Sequence, residues 1–205
     1  MELKEVIERR RTVRDFSDKE VPIRIIEYAI ANAFKAPSYD HLREWNFIVI
    51  NRQEVKQLLV EAENIAAQTD IKALELLFQK EDTIKKEMYL EAIPKQKRMI
   101  LTAPAVIVVV FKPKTRVEDA RRIYDLNCLS SVWTCIENFL LSLAENDVYG
   151  VTYIPKQIEH LKSKLGISDE LEIAAIIPIG YKSDDAKIVR QKTIDIYQRI
   201  HFNKW

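Results

Sequence analysis

Glycine is scarce in this 205-residue chain, with Gly150, Gly166 and Gly180 its only three. Their positions exclude both a Gly-x-Gly-x-x-Gly dinucleotide turn and a phosphate-binding P-loop. Any phosphate bound here is therefore held by side chains. Cysteine is scarcer still. Cys128 and Cys135 stand seven residues apart in a helical stretch, which separates them by about 10 Å on a helix. That is too far for a disulfide, and the spacing is not that of a zinc or redox pair. Both read as small buried apolar residues. An excess of one charge is missing too: 32 Lys and Arg oppose 31 Asp and Glu, for a net charge of +1. This balance excludes the strongly basic footprint of a nucleic-acid binder. With 47% apolar residues it also excludes a disordered chain. The most apolar stretch, Ala105 to Phe111, is too short to span a bilayer. Met1 to Arg14 lacks the apolar segment of a secretory signal. A soluble, cytoplasmic protein with no membrane partner is expected. No metal-ligand spacing and no serine, histidine and acid arrangement stands out.

What is present is enough for one domain over residues 1–205, with a helical excursion at about 68–100. Glu2 to Arg10 reads as a short amphipathic helix, and Ile23 to Lys35 as a second, with Pro22 near its first turn and Pro37 as its stop. Asn46 to Ile50 is a strand, and Glu54 to Ala67 a helix. Ile71 to Met99 is a Lys- and Glu-rich helical run broken at Pro94, its charge marking a solvated face. Ala105 to Phe111 has the unbroken β-branched character of a central strand. Glu118 to Asn146 is the longest helical run and is apolar nearly all round, as a helix buried in a core or against another subunit is. Tyr149 to Ile154 is a strand, Pro155 opens a helix ending near Gly166, and Leu171 to Gly180 is a further strand. The tail, Thr193 to Trp205, carries Ile194, Ile196, Ile200, Phe202 and Trp205. The class is α+β. An apolar central helix and an apolar tail are hard to satisfy within one small chain, so a homodimer is expected.

Four segments carry candidate chemistry. Arg9 to Phe16 sets several guanidinium groups and the Thr12 hydroxyl at the end of a helix. Guanidinium pairs bidentately with phosphate oxygens and stays charged at any working pH. Alone, such a run is more often a solvated face than a phosphate cage. Ala36 to Trp45 runs straight into a strand. Tyr149 to Pro155 follows the apolar helix containing Glu137 and Asn138. Ile177 to Tyr181 closes a strand, with Arg190 and Lys192 shortly after. His41 reads equally as a surface or capping residue and as a hydrogen-bond donor. His160 and His201 have no neighbouring ligand types.

Taken in order, these segments resemble the nitroreductase family of FMN-dependent oxidoreductases. The Arg-Arg-Thr-x-Arg-x-Phe run is Arg10, Arg11, Thr12, Arg14 and Phe16. The Ala-Pro-Ser segment ending in Trp is Ala36 to Trp45. Asn138 and Gly150 match a helix and turn, and Gly180 and Tyr181 a Gly-Tyr turn followed by the basic Arg190 and Lys192. The chain departs at His41 for Asn, Arg43 for Gln, Glu44 for Pro, Glu137 for Gln and Lys182 for Pro. The resemblance implies a mostly antiparallel central sheet surrounded by helices, completed in a homodimer with FMN at the subunit interface. It implies that Arg10, Arg11, Thr12, Arg14, Arg190 and Lys192 hold the FMN phosphate and ribityl chain. Pro37, Ser38 and Tyr39 would line the flavin from the partner subunit, with His41 at its edge. Tyr153, Ile154 and Pro155 would lie against the ring, with backbone N–H groups near Pro155 and Lys156 reaching its N5. NADH or NADPH would deliver hydride to the flavin, and a small acceptor such as a nitroaromatic or quinone would then take its place, in ping-pong order. Flavin N5 carries the chemistry in this scheme, and no residue acts as a catalytic acid or base. Two rivals are an FMN-binding sensor or carrier and a non-enzymatic helical interaction protein.

Overall fold

The computed structural model describes residues 1–66 and 69–205. Its four strands are β1 (Trp45–Ile50), β2 (Ala105–Phe111), β3 (Val148–Gly150) and β4 (Glu172–Tyr181). They form one antiparallel sheet in the order β1-β2-β4-β3. The α+β class and the antiparallel sheet wrapped by helices are therefore present.

The central strands are apolar without interruption because both their faces are covered. Along β2, Ala105, Ile107, Val109 and Phe111 enter one core while Val106, Val108 and Val110 enter the other. That alternation is the two-residue period of a strand. A bulge between Val109 and Val110 lets two β4 residues, Ala174 and Ala175, face the first core in succession.

Helix α2 (Ile23–Ala33) and helix α7 (Asn127–Ala144) cover the first face. The small residues Ala29 and Ala33 let the two helices approach, and Phe139, Leu143, Ile136 and Val132 of α7 are buried. Each fully buried aliphatic or aromatic side chain contributes about 1.5–3 kcal/mol. Cys128 and Cys135 are free thiols on this buried stripe, as expected. Helices α3 (Gln53–Ala62), α6 (Gln96–Thr102) and α8 (Ile158–Leu165) cover the second face. The short α1 (Leu3–Arg9) leads in, and its Val6 is buried.

Several expected boundaries move, each for a local reason. The 118–146 helix begins only at Asn127. The Asp125 carboxylate accepts the N–H groups of Arg121 and Arg122 and holds two short 3-10 turns ahead of it. Among the described residues the excursion is three helices, α4 (Ile71–Leu77), α5 (Thr83–Ala92) and α6, rather than two pieces divided at Pro94. Its first break falls at residues 78–82, where Asp82 takes the Lys85 N–H as the N-cap of α5. Pro94 sits in a 3-10 turn between α5 and α6. Helix α3 ends at Ala62, and Glu63 to Ala66 turn away from it instead of continuing it as expected; Ala67, the last residue of the expected helix, lies outside the described residues. The strand expected over 149–154 is β3 plus a single bridge from Tyr153 to Ile176. Pro155 does not open α8, which starts at Ile158. Gly166 ends that helix in the left-handed region (φ 66°), as its type predicts.

Candidate functional site

The arginine-rich segment is strapped to one end of the sheet. Thr12 bridges to Gly150 of β3, and Phe16 bridges to Lys182 just past β4. The Ser17 N–H donates to Tyr181 O at 2.9 Å, and the Ser183 N–H donates to Asp15 O at 3.1 Å. Val13 and Phe16 turn into the second core and anchor the strap. Gly180 is glycine because Phe16 packs there: an added Cβ would stand 2.7 Å from Pro104 Cδ and 3.0 Å from Phe16 Cδ1. With Val13, Asp15 and Phe16 buried, Arg11, Thr12 and Arg14 are left facing a cavity.

That cavity has a volume of about 630 Å³. The strap forms one wall with Arg11, Thr12 and Arg14. The tail forms another, from Ile188 to Lys192 with Ile194. Helix α5 closes it with Ile84, Lys85 and Met88. Five of the expected phosphate residues thus meet from opposite ends of the chain: Arg11, Thr12, Arg14, Arg190 and Lys192. Burial lowers the basicity of Arg14, against the opposing pull of Glu91 and Asp15, yet guanidinium this strong stays protonated. Lys192 Nζ lies 2.6 Å from Asp82 Oδ2. That bond, with the Lys85 N–H, holds the Asp82 carboxyl below its usual range. Arg10 turns elsewhere, its Nε 3.5 Å from Glu137 Oε1 on α7.

Pro37, Ser38, Tyr39 and His41 do not line this cavity. They lie in the loop between α2 and β1, beside α7. The Tyr39 N–H donates to Ser131 Oγ at 2.9 Å, and Thr134 Oγ1 donates to Pro37 O at 3.2 Å. The Tyr39 hydroxyl bonds that of Tyr124. Ser38 Oγ is buried with no hydrogen-bond partner among the described residues. Asp40, His41 and Arg43 all have left-handed backbone (φ 49°, 54° and 45°). Non-glycine residues in that region cost of order 1–3 kcal/mol each, and such strain gathers at functional loops.

The loop after β3 is fixed by a residue that sequence reasoning missed. Glu63, just past α3, is buried. Its Oε2 accepts the Tyr153 hydroxyl and the Lys156 N–H, both at 2.8 Å, and its Oε1 accepts the Gln157 N–H at 2.8 Å. Burial, together with the bond to Glu63, raises the Tyr153 phenol well above its ordinary range. The Lys156 N–H expected to reach the flavin is thus already engaged, and Pro155 has none. Pro155 is buried and Ile154 points outward, 53% exposed. The available signal was position: Glu63 follows Leu59 by four, which sets a carboxylate on the apolar stripe of α3. Lys85 was missed because the excursion's charge reads as solvated surface. No cluster suited to a metal ion occurs among the described residues. None of the described helices is long and apolar enough to cross a membrane.

Known proteins share this fold. The chain is 27% identical over 200 residues to iodotyrosine deiodinase 1 of Mus musculus, covering 95% of this chain and 67% of that protein. Among solved structures, an oxidized iodotyrosine deiodinase bound to FMN and 3-iodo-L-tyrosine superimposes with a TM-score of 0.75 at 20% identity, covering both chains entirely. A nitroreductase-like family protein from Bacillus cereus superimposes with a TM-score of 0.70 at 22% identity, over 100% of this chain and 97% of the other. These two likenesses show the fold. The sequence pattern that defines the Nitroreductase family matches residues 7–181, most of the chain, and the protein belongs to that family.

Proposed function

We propose that this protein is an FMN-dependent oxidoreductase that takes electrons from NADH or NADPH and reduces a small organic acceptor, a nitroaromatic, a quinone or a similar compound. It works as a homodimer with FMN at the subunit interface. The observation that carries this reading is the meeting of Arg11, Thr12, Arg14, Arg190 and Lys192 around one cavity.

The residues fit a phosphorylated cofactor. No carboxylate lies within ion-pair distance of Arg11, Arg14 or Arg190 among the described residues, and a phosphate monoester brings a charge near −2. The cavity size falls within the range of small-ligand sites. Ser38 Oγ, buried without a partner in its own chain, fits a role toward a cofactor held between two copies. Bound FMN would supply hydride and single-electron chemistry. The chain would do the rest: the strap and tail grip the phosphate, Glu63 fixes the Tyr153–Gln157 loop, and α5 closes the cavity. The relatives that carry the names of FMN-bound proteins support the cofactor, and the family supports the reaction class.

Anaerobic addition of NADH and of NADPH to the FMN-loaded protein tests this reading. Bleaching of the oxidised-flavin bands, reversed by a nitroaromatic or a quinone, is the expected result. A flavin that neither donor bleaches would sink the reductase reading in favour of a carrier or sensor. The likeness to iodotyrosine deiodinases over 95% of the chain favours a second acceptor class, halogenated phenols. Release of iodide from an iodophenol under dithionite-reduced flavin is the assay for it.

A further inference from the structure

Asp15 is a buried carboxylate in the strap, 4% exposed and next in the chain to Arg14. A carboxylate taken out of water needs a cation, and leaving it unpaired is strongly unfavourable. The neighbouring guanidinium is the obvious candidate, yet no carboxylate lies within ion-pair distance of Arg14 among the described residues. The cation that meets Asp15 comes from the excursion instead. Lys95 Nζ donates to Asp15 Oδ2 and, at 2.5 Å, to Glu91 Oε1 of α5. The Glu91 side chain is only 8% exposed, so one ammonium group serves two buried carboxylates. Lys95 closes the 3-10 turn that Pro94 sets between α5 and α6, four residues after Glu91. Burial pulls the Lys95 ammonium down, but the bonds to Asp15 and Glu91 outweigh it and raise its pKa above the ordinary value. Arg98 of α6 is a poor substitute: it stands 3.8 Å from Asp15 Oδ1, and its side chain is 60% exposed.

Both carboxylates still act on Arg14 at a distance. Against the effect of its burial, Glu91 and then Asp15 favour its charged form. Arg14 is thus the next cation in line should Lys95 be lost, and a guanidinium turned toward Asp15 and Glu91 is no longer aimed into the cavity. We infer that Lys95 is a positioning residue for the phosphate grip: by taking Asp15 and Glu91 for itself, it leaves Arg14 for the phosphate of the cofactor. The inference rests on the flavoenzyme reading above. Lys95 does not line the cavity, so its effect on the cofactor passes through Arg14.

The test compares FMN with riboflavin, which has the same ring and ribityl chain and no phosphate. Each is titrated with apoprotein, and binding is read from flavin fluorescence. The parent protein is read first. If it fails to bind FMN, the flavoenzyme reading falls and this inference with it, whereas FMN binding that Lys95→Gln leaves unchanged sinks the inference alone. Lys95→Gln should weaken FMN about tenfold, the size of one charge-assisted hydrogen bond, and riboflavin by less than about twofold. A role limited to fastening the turn to the strap predicts equal losses for the two flavins and would overturn the inference. Lys95→Arg should keep the parent's grip. In an Arg14→Ala background, already weakened, Lys95→Gln should cost less than about threefold more. A full tenfold there would mean that the bared carboxylates repel the phosphate directly, and the assignment to Arg14 would be wrong. Asp15→Asn tests the same point with Lys95 intact, so the question is still decided if Lys95→Gln does not fold. The amide keeps the shape and removes a charge that competes for Arg14, so FMN should be held at least as tightly as in the parent. Weaker binding in Asp15→Asn contradicts the inference.

Discussion

At the scale of single residues, Glu63 is the side chain on which the loop after β3 depends. A buried carboxylate that accepts three hydrogen bonds cannot be neutralised without leaving donors unmet. Glu63→Gln should destabilise the fold by about 1–3 kcal/mol, against about 1 kcal/mol for Tyr153→Phe, which removes one bond. Urea unfolding of both variants checks the order; equal losses would mean that the backbone donors find other partners. Arg43 offers the opposite case. Its left-handed backbone suits glycine, so Arg43→Gly should gain up to about 1 kcal/mol of stability. Thermal unfolding of that variant should shift upward, and a downward shift would show that the side chain's contacts outweigh the strain.

At the scale of elements, the strap and its neighbours can be tested through Gly180. Gly180→Ala forces a Cβ into Pro104 and Phe16, a clash that costs about 1–3 kcal/mol and displaces the strap. Its unfolding midpoint should fall, and its hold on FMN should weaken with it. Helix α7 gives a prediction in pH. Burial pushes the Cys135 thiol up to about 12 from an ordinary value of 9.0. The folded state therefore keeps its proton where the unfolded chain loses it. Stability is full below pH 9 and falls as pH rises toward 12. Cys135→Ala should flatten that decline, as measured by urea unfolding at a series of alkaline pH values. The elements also show what was readable in advance. The strands β1, β2 and β4, and α2, follow from composition and period alone, because apolar runs bounded by breakers leave little choice. The start of α7 and the first break in the excursion were not readable, because Asp125 and Asp82 set them through side-chain caps that hydrophobic period does not report, whereas the break at Pro94 was. In the candidate site, the arginines and the late basic pair were legible as charges at motif spacing. Glu63 was not, since its partners are 90 or more residues away in the chain.

At the scale of the whole molecule, the unresolved demand is the apolar tail. Ile194, Ile196, Tyr197, Phe202 and Trp205 are all exposed in the single chain, Trp205 to 99%. The same tail supplies Arg190 and Lys192 to the cavity. A second copy that covers the tail would therefore also secure two of the proposed phosphate contacts, and assembly would then be tied to cofactor binding. Light scattering should give about twice the 24.0 kDa chain mass. A monomer would break the link between the tail and the cofactor. The central claim is the cofactor itself. The most direct measurement is the visible spectrum of the purified protein after incubation with FMN and desalting, with Arg11→Ala and Arg190→Ala alongside. The account predicts both oxidised-flavin bands at about one FMN per chain in the parent protein and marked loss of flavin from each variant. A colourless parent protein, or variants that keep their flavin undiminished, would contradict it.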